Sequence, residues 1–455
     1  MTESVQIAIC GAGIAGVSLA FHLAVNHAWD EILLIDSRPP LSLTSDKSTE
    51  CYRNWWPGPG DAMICLMNRS IDLMESLARE TGDLFHMNHR GYLYLTANPA
   101  KAEEMLSSAR EIAHLGAGPL RIHTSNKNSN YSPSEPAGFA REFTGADLIL
   151  NKKIIQENYP FLANETIAGL HVRRAGWLSA QQLGKYLLEQ ALSSSVELIQ
   201  AKLIGVGLQD GRITSIELDD GRHIRVNHLV NAAGPFLKQV GRLMGVDLPV
   251  ITELHLKVGF NDKSGVLPRE SPLLIWSDPQ YLNWDSEDIQ FIQEDENLRW
   301  FLDEFPPGVH TRPDGPADSP IILMLWEYQN KKVEPIFPPP LDPYYPEIVL
   351  RGLTTMIPGL NNYIGRSSRP ALDGGYYTKT PENRPLIGPL PVEGGWIIGA
   401  LSGFGIMASL AAGELLALYL TEGPLPSYAP AFDLRRYQDP HYRMLLQNWG
   451  TTGQL

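Results

Sequence analysis

Apolar and polar residues alternate along the chain in patterns that predict its first elements. The run VQIAIC predicts a buried strand over 5–10, the segment 14–27 has helical spacing, and EILLID predicts a second strand over 31–36. Apolar residues three and four positions apart then predict a helix over 61–80. The first three elements indicate a βαβ unit, because parallel strands need a crossover connection.

Later segments extend this pattern and interrupt it. Residues 181–192 predict a helix, and alternating stretches separated by Asp-Gly turns predict a β-meander over 196–234. The stretch 118–145 is rich in Ser, Asn, Pro and Gly and predicts a surface insertion, whereas the Pro-rich 335–346 predicts a linker or the edge of a lid. The apolar run 397–420 is broken by Gly and Ser. It therefore predicts a strand, a glycine turn and a buried helix rather than a membrane span.

A glycine motif lies between the first strand and the first helix. Gly11, Gly13 and Gly16 form GxGxxG, and Asp36 closes the next strand 20 positions after Gly16. Gly11 permits the tight turn, Gly13 lets the backbone approach a pyrophosphate, and Gly16 lets the helix pack closely. The helix start favours phosphates, and Asp36 can accept hydrogen bonds from a ribose. The motif predicts a dinucleotide and disfavours NADP, whose 2′-phosphate Asp36 would repel, but it does not separate FAD from NAD.

Composition and charge narrow the class of partner. The chain has 37 Lys and Arg against 51 Asp and Glu, a net charge of −14, which argues against nucleic acid as a partner. Cys10, Cys51 and Cys65 form neither a CxxC pair nor a disulfide framework, and no basic region precedes the first apolar run. We therefore expect a cytoplasmic protein. His86 and His89 have no HExxH or paired Cys beside them, so no metal site is predicted.

Four further segments carry a resemblance to a known family. They are AGWLSAQQL (175–183), LVNAAGPF (229–236), YTKTPENRPLIGP (377–389) and SGFGIM (402–407). In this order they resemble the FAD-contacting segments of the D-amino-acid oxidase/sarcosine oxidase superfamily. The resemblance implies FAD as the cofactor, and hydride transfer from the carbon next to an amine nitrogen to flavin N5. An NAD-dependent dehydrogenase and an FAD-binding assembly or maturation factor remain the alternatives.

The glycine motif and the resemblance together define a set of predicted FAD-binding residues. The second glycine turn opens a buried helix, whose free N–H groups and positive dipole end would stabilise the negative charge of a reduced flavin. The predicted FAD contacts are Gly11, Gly13, Ile14, Ala15, Gly16, Asp36, Ser37, Ser48, Thr49, Leu203, Ala232, Ala233, Gly234, Gly403, Phe404, Gly405, Ile406 and Met407.

The residues expected to hold a substrate depart from the family at one position. Sarcosine oxidase grips its substrate carboxylate with an arginine and a lysine; Arg53 resembles the arginine, and Met407 stands at the lysine position. The missing cation favours a bulkier or less acidic amine, which aromatic walls can hold by cation–π attraction. The aromatic residues available for such a wall, most of which we expect in the core, are Trp55, Trp56, Trp276, Trp326 and Tyr328.

Flavin attachment and the electron acceptor involve other positions. The family's cysteine linkage is excluded because its position is about Gly375, and the histidine that carries the flavin in related dehydrogenases has Cys51 as its nearest counterpart. Non-covalent FAD is the default. Lys257 is a candidate for a cation that promotes reaction with oxygen, and Arg384 either faces the flavin or braces a turn. An oxidase using O2 and a dehydrogenase using an electron-transfer acceptor both remain open.

These patterns together predict an α/β protein built from two discontinuous domains. A Rossmann-like FAD-binding domain is expected over 1–84, 146–248 and 350–455. A second, α+β substrate domain with a mostly antiparallel sheet is expected over 85–145 and 249–349. The predicted function is oxidation of the C–N bond of a small amine or amino acid.

Overall fold

The computed structural model describes residues 4–125, 130–134, 138–139, 144–329, 331–366 and 370–449. The strands in this part of the chain are β1 (Ser4–Cys10), β2 (Ile32–Asp36), β3 (Cys51–Arg53), β4 (Tyr92–Thr96), β5 (Leu120–His123), β6 (Ala146–Ile149), β7 (Ala168–Val172), β8 (Ala175–Trp177), β9 (Val196–Gln200), β10 (Leu203–Gln209), β11 (Arg212–Leu218), β12 (His223–Asn231), β13 (Ile251–Asn261), β14 (Leu273–Trp276), β15 (His310–Pro313), β16 (Ile321–Leu325), β17 (Ala371–Lys379), β18 (Leu386–Pro389) and β19 (Gly395–Gly399).

The α-helices of the same residues are α1 (Ile14–Phe21), α2 (Ala62–Thr81), α3 (Pro99–Ile112), α4 (Lys152–Asn158), α5 (Ala180–Leu192), α6 (Leu237–Leu243), α7 (Ser286–Glu294), α8 (Tyr345–Met356), α9 (Gly405–Leu420) and α10 (Pro440–Gln447). The helix predicted over 14–27 is divided, because α1 passes into a wider π-helical turn at His22–Asn26. The helices predicted over 61–80 and 181–192, and the predicted meander, are confirmed.

The first sheet is a parallel nucleotide-binding sheet with a meander attached. Strands β9, β2, β1 and β12 lie side by side in parallel, and β19 pairs in parallel with the last residues of β12. The meander continues from the first residues of β12, which pair with β11 antiparallel, and β11 in turn pairs antiparallel with β10. Because β1 and β12 pair from Ser4↔Arg225 to Cys10↔Asn231, their carboxyl ends reach the same edge. Ligands of such sheets bind at that edge.

The second sheet is mostly antiparallel, as predicted. Its order is β17-β13-β16-β15-β14-β4-β7-β6-β5, with parallel pairing only at β14–β4 and β5–β6 among the described strands. The pair β13–β17 is the longest, running from Ile251↔Lys379 to Gly259↔Ala371. A short ribbon of β3 and β8 is separate from both sheets.

The division into domains over the predicted ranges remains a prediction, but two groups of strands cross it. Strands β6 and β7 lie in the range 146–248, and β17 lies in 350–455, yet all three belong to the second sheet. Composition gives no signal for this, because the strands are joined to their sheet by hydrogen bonds to distant segments. The stretch 118–145, predicted as a surface insertion, contributes β5, and parts of that stretch fall outside the described residues.

Helix α9 runs through the centre of the fold. Ser402–Leu420 is long and apolar enough to cross a membrane, yet 72% of its most apolar stretch is buried inside the protein. It packs against α1 and α2. At their closest approach Ser18 donates a hydrogen bond to the Ser409 carbonyl at 2.8 Å, and a Cβ on Gly413 would lie 2.4 Å from the Ser18 hydroxyl. The apolar run is thus a core helix, as predicted.

A buried ion cluster joins the outer strands of the second sheet. The Asp147 carboxylate accepts hydrogen bonds from Arg121 at 2.7 and 2.9 Å and from His123 at 2.8 Å, and it also pairs with Arg173. Burial opposes ionisation of Asp147, but these three groups outweigh it and hold its pKa well below the usual range. The Arg173 side chain is only 2% exposed, so the free-energy cost of burying its charge must be offset by the partners around it.

We expect Asp147→Asn to lower the free energy of unfolding by about 3–5 kcal/mol, because it leaves buried guanidinium charge without its carboxylate. Denaturant titration at pH 7 measures this. The control Asp72→Asn removes a carboxylate that is 40% exposed and pairs with Arg174, and should cost no more than about 1 kcal/mol.

The pH dependence gives a second check on Asp147. A carboxyl group whose folded pKa is depressed stabilises the fold above its unfolded pKa, about 3.9, and loses that contribution as pH falls further. The difference between wild type and Asp147→Asn should therefore shrink below about pH 4. Equal costs for Asp147→Asn and Asp72→Asn at pH 7 would contradict the assignment.

Candidate active site

The glycine turn after β1 is possible only with glycine at two of its positions. Gly11 has φ +118°, and a Cβ there would lie 2.3 Å from the Ala232 carbonyl oxygen. A Cβ on Gly16 would lie 1.9 Å from the Gly11 carbonyl oxygen. Helix α1 therefore starts directly on the end of the sheet, with its first N–H groups at the edge where a phosphate can approach.

A cavity of about 520 Å³ opens beside this turn. The Asp36 carboxylate lies in its wall and accepts hydrogen bonds from the backbone N–H of Ala12 at 2.8 Å and of Arg38 at 3.0 Å. These bonds fix the carboxylate at the end of β2, and its predicted role as a ribose acceptor remains a prediction. The predicted residues that line this cavity are Gly11, Gly13, Asp36, Ser37, Leu203, Ala232, Ala233 and Gly234.

A smaller cavity of about 90 Å³ shares part of this wall and leads from the start of α1 to the start of α9. The Ile14 N–H at the start of α1 donates to the Ser45 hydroxyl at 2.9 Å. The predicted residues in its wall, besides those it shares with the larger cavity, are Ile14, Ala15, Ser48, Gly403, Gly405 and Ile406. The starts of α1 and α9 thus both lie in the wall of the small cavity. The positive ends of the two helix dipoles there would favour a bound anion such as a dinucleotide.

Two cations of the second sheet fix the loop between these cavities. The Lys257 ammonium donates to the carbonyls of Asp46 at 2.9 Å and Ser48 at 3.3 Å. The Arg312 guanidinium donates twice to the Thr49 carbonyl, at 2.7 and 2.9 Å. Burial lowers the pKa of Lys257. Since Ser48 lines the small cavity, both cations position the cofactor side of the site.

A third cavity, of about 760 Å³, is lined by α3, by residues of the segment 53–57 and by strands of the second sheet. Arg53 is in its wall and is 3% exposed; its Nε donates to the Trp55 carbonyl at 3.1 Å. The guanidinium lies over the rings of Trp56 and Tyr92, at 4.6 and 5.6 Å from their centroids. Trp55 and Trp276 also line this cavity, so part of the aromatic wall expected from the sequence is present.

Three ionisable side chains, Glu253, Glu327 and Lys379, lie in the wall at one end of the third cavity, and His255 contacts the two acids among them. The His255 ring contacts Glu253 through Nε2 at 3.3 Å and Glu327 through Nδ1 at 3.1 Å, while Lys379 contacts Glu253 at 2.6 Å. Burial disfavours the charged imidazole, yet the two carboxylates raise the pKa of His255. Burial likewise opposes ionisation of Glu327 and Glu253. The positive charges of His255 and Lys379 nevertheless lower the pKa of both carboxyl groups. Both ring nitrogens can donate only when the imidazole is protonated.

Four predicted cofactor residues support the cavities from behind. Gly16 packs on the Gly11 carbonyl, the Thr49 carbonyl is held by Arg312, Phe404 lies edge-on to Trp56, and Met407 is buried in the core. The structure describes these contacts, and their roles toward a cofactor remain predictions.

The remaining predicted residues have structural partners. Arg384 donates to the Pro59 carbonyl at 2.9 Å and lies over the Trp449 ring, so it braces a turn and the C-terminal segment. Burial lowers its pKa to about 10. The Cys51 thiol lies 3.3 Å from the Thr49 carbonyl, and burial raises its pKa, which disfavours the thiolate.

Several residues in the walls were not predicted from the sequence. Tyr377 and Thr378 lie inside the matched segment 377–389, which offered a signal for them. Lys379 lies in the same segment, and Ser402 opens the matched segment 402–407. The others, Thr44, Ser45, Tyr376, Glu253 and Glu327, come from loops or strands outside the matched segments.

We expect Asp36→Ala to weaken FAD binding about 10- to 100-fold, because it removes a charged acceptor worth roughly 1.5–3 kcal/mol. Titration of the apoprotein with FAD, followed by flavin fluorescence, measures the dissociation constant. Asp30→Ala is the control: this exposed carboxylate precedes the opposite end of β2. An unchanged dissociation constant in Asp36→Ala would exclude a ribose contact.

Comparison with known proteins agrees with this geometry. Residues 6–418 match the model of the family described as FAD dependent oxidoreductase (DAO). Human mitochondrial dimethylglycine dehydrogenase is 23% identical over 446 residues, 96% of this chain and 44% of that protein. The mitochondrial pyruvate dehydrogenase phosphatase regulatory subunit of Mus musculus is 23% identical over 259 residues, 55% of this chain and 25% of that protein.

Among solved structures, the L-proline dehydrogenase of P. horikoshii superposes with a TM-score of 0.73 at 18% identity, covering 96% of this chain and 99% of that one. This likeness confirms the fold. The chain spans under half the length of the curated relatives named above. The family's cofactor is FAD, which removes the NAD alternative. The glycine turn and the two helix starts at one cavity agree with this family, and the match over 6–418 shows that the chain belongs to the DAO family of FAD-dependent oxidoreductases.

Proposed function

We propose that the chain oxidises the C–N bond of an amine or amino acid with non-covalently bound FAD. The observation that carries this proposal is the placement of the third cavity. Strand β17 lines the small cofactor cavity with Tyr376, Tyr377 and Thr378, and the next residue, Lys379, lines the third cavity. A substrate in the third cavity would therefore lie beside the end of the cofactor that reaches α9.

The chain's own residues supply binding, orientation and electrostatics. FAD held at the first two cavities would supply the acceptor for a hydride from the carbon next to the amine nitrogen. Arg53, held by Trp55 and by two aromatic rings, can orient a substrate carboxylate from a fixed direction. The start of α9, at Gly405 after the turn Ser402–Phe404, directs N–H groups toward the small cavity. These groups favour a negative charge there without having to reorganise.

The names of two similar proteins support the substrate class. One is a dehydrogenase of dimethylglycine and the other of L-proline, and both named compounds are amino acids. Met407, which takes the place of the family's lysine, is 5% exposed and lies in the core. Arg53 is thus the cation that we assign to a substrate carboxylate.

A second candidate is a regulatory or assembly role in which bound FAD stabilises the fold. The observation that favours it is the similarity to the pyruvate dehydrogenase phosphatase regulatory subunit, whose name describes regulation and no redox reaction. A fold alone does not fix a function. This candidate predicts a flavin that no amine reduces.

The deciding experiment is anaerobic stopped-flow absorbance on the purified holoprotein. Secondary amines and both enantiomers of amino acids are mixed with it. The absorbance of the flavin band at about 450 nm is followed, and air is then admitted. Bleaching by one class supports the proposed oxidation, and the rate at which colour returns separates an oxidase from a dehydrogenase. No bleaching by any amine would overturn the proposal in favour of the second candidate.

We expect Arg53→Met to raise the dissociation constant of a reactive amino acid about 10- to 100-fold, because a charge-assisted hydrogen bond is worth roughly 1.5–3 kcal/mol. The corresponding amino-acid amide, which lacks the carboxylate, should bind both forms equally. The concentration dependence of anaerobic flavin reduction measures both constants. An equal loss for acid and amide would show that Arg53 only supports the cavity wall.

A further inference from the structure

At one end of the third cavity lies a cluster of four charged side chains that play no part in the proposed binding of a carboxylate by Arg53. Glu253 and His255 come from β13, Lys379 from β17, and Glu327 from the segment after β16. The His255 ring is stacked on Tyr377 at 4.1 Å with its plane tilted by 17°, so its two nitrogens point along fixed directions to the carboxylates. Segments far apart in sequence thus place one imidazole between two acids at the cavity.

The four members of this group are not equally accessible. The carboxylates of Glu327 and Glu253 both lie in the cavity wall, with side chains that are 24% and 7% exposed, whereas His255 is 6% exposed and lies behind the wall. Lys379 also lies in the wall, at 14% exposure, and is held on Glu253 at 2.6 Å. The His255 imidazolium therefore lies on the protein side of Glu327, and the Glu327 carboxylate is the member of this ion pair that borders the cavity.

Other ionisable side chains surround Glu327. His310, on β15, contributes positive charge near it when protonated, and the phenols of Tyr345 and Tyr377 are close enough for the carboxylate to raise their pKa values. Burial lowers the pKa of His310, which favours its neutral form. His255 and Lys379 are thus the charges that keep Glu327 ionised.

A carboxylate held ionised is unsuited to the reacting nitrogen. Hydride leaves the substrate carbon when the neighbouring nitrogen has a lone pair to share, and an ammonium ion has none. An ionised carboxylate beside that nitrogen would keep it protonated and slow the transfer. The Glu327 carboxylate therefore suits a cationic group that takes no part in the reaction.

The size of the cavity permits such a group. Its volume, about 760 Å³, falls in the range of roughly 300–1,000 Å³ that accommodates drug-sized ligands. The wall continues along one face of α3, including Lys101, Glu104 and Met105, well beyond the surroundings of Arg53. A substrate the size of glycine would leave most of this space to water.

We propose that the substrate carries a second, non-reacting cationic group, an ammonium or guanidinium, and that Glu327 is the residue that recognises it. This inference rests on the proposed function in one respect, the assignment of the third cavity as the substrate site. It does not require that the ligand be oxidised. Glu327 is thus a specificity-determining residue, and His255 and Glu253 with Lys379 position it.

The test is the binding of matched ligands to the holoprotein under anaerobic conditions, by isothermal titration calorimetry. The probes are lysine and norleucine in both enantiomers, since norleucine lacks only the distal ammonium. We expect lysine to bind at least about tenfold more tightly than norleucine, and Glu327→Gln to remove this preference by weakening lysine alone. Glu327→Asp, which retains the charge, should keep part of it.

Glu104→Gln is the matched control. This carboxylate lines the same cavity but is 67% exposed and paired with Lys101 at 2.9 Å, so its loss should leave the preference intact. Wild-type protein that binds norleucine as tightly as lysine would overturn the inference, and this comparison needs no variant. An equal loss of both ligands in Glu327→Gln would overturn it as well. Tight, selective lysine binding without flavin bleaching by any amine would support the inference and refute the proposed oxidation.

Discussion

The structure depends on a backbone approach that leaves no room for a side chain. Helix α1 lies so close to the turn after β1 that a Cβ on Gly16 would come within 1.9 Å of the Gly11 carbonyl oxygen. On its other side, α1 meets α9 at Gly413, where a Cβ would lie 2.4 Å from the Ser18 hydroxyl. Since the interior is close-packed, neither contact can open without displacing the helix. Both helices are thereby held with their starts at one cavity.

The βαβ unit at the start of the first sheet was largely predictable, because the residues that determine it lie close together in the sequence. The glycine spacing, the strand alternation and Asp36 all lie within the first 36 residues, and each has its own physical reason. The long buried helix after the second glycine turn was also evident, because Gly and Ser interrupt an otherwise apolar run. The π-helical turn at His22–Asn26 was not, since nothing in the spacing of apolar residues distinguishes it from an α-helix.

The second sheet and the third cavity were much less predictable because their contacts join distant segments. Nothing near Lys379 indicates that it meets Glu253, since the two residues come together only through the pairing of β17 with β13. Lys257 was recognised as a cation on a strand, but not as a donor to the carbonyls of Asp46 and Ser48. A sequence shows which residue types are available, and long-range strand pairing decides which of them become neighbours.

The two halves of the site use different kinds of electrostatics. On the cofactor side, charge is handled by backbone N–H groups at helix starts and by carbonyls that Lys257 and Arg312 hold in place. The backbone N–H and carbonyl groups belong to the fold whatever the side chains, although the position of the carbonyls depends on Lys257 and Arg312. On the substrate side the charges belong to side chains, Arg53 and the group around His255, which single substitutions can exchange. A chain that keeps the backbone groups of the first two cavities but changes the side chains of the third would keep its cofactor and change its substrate. Function resides in sites placed on a fold.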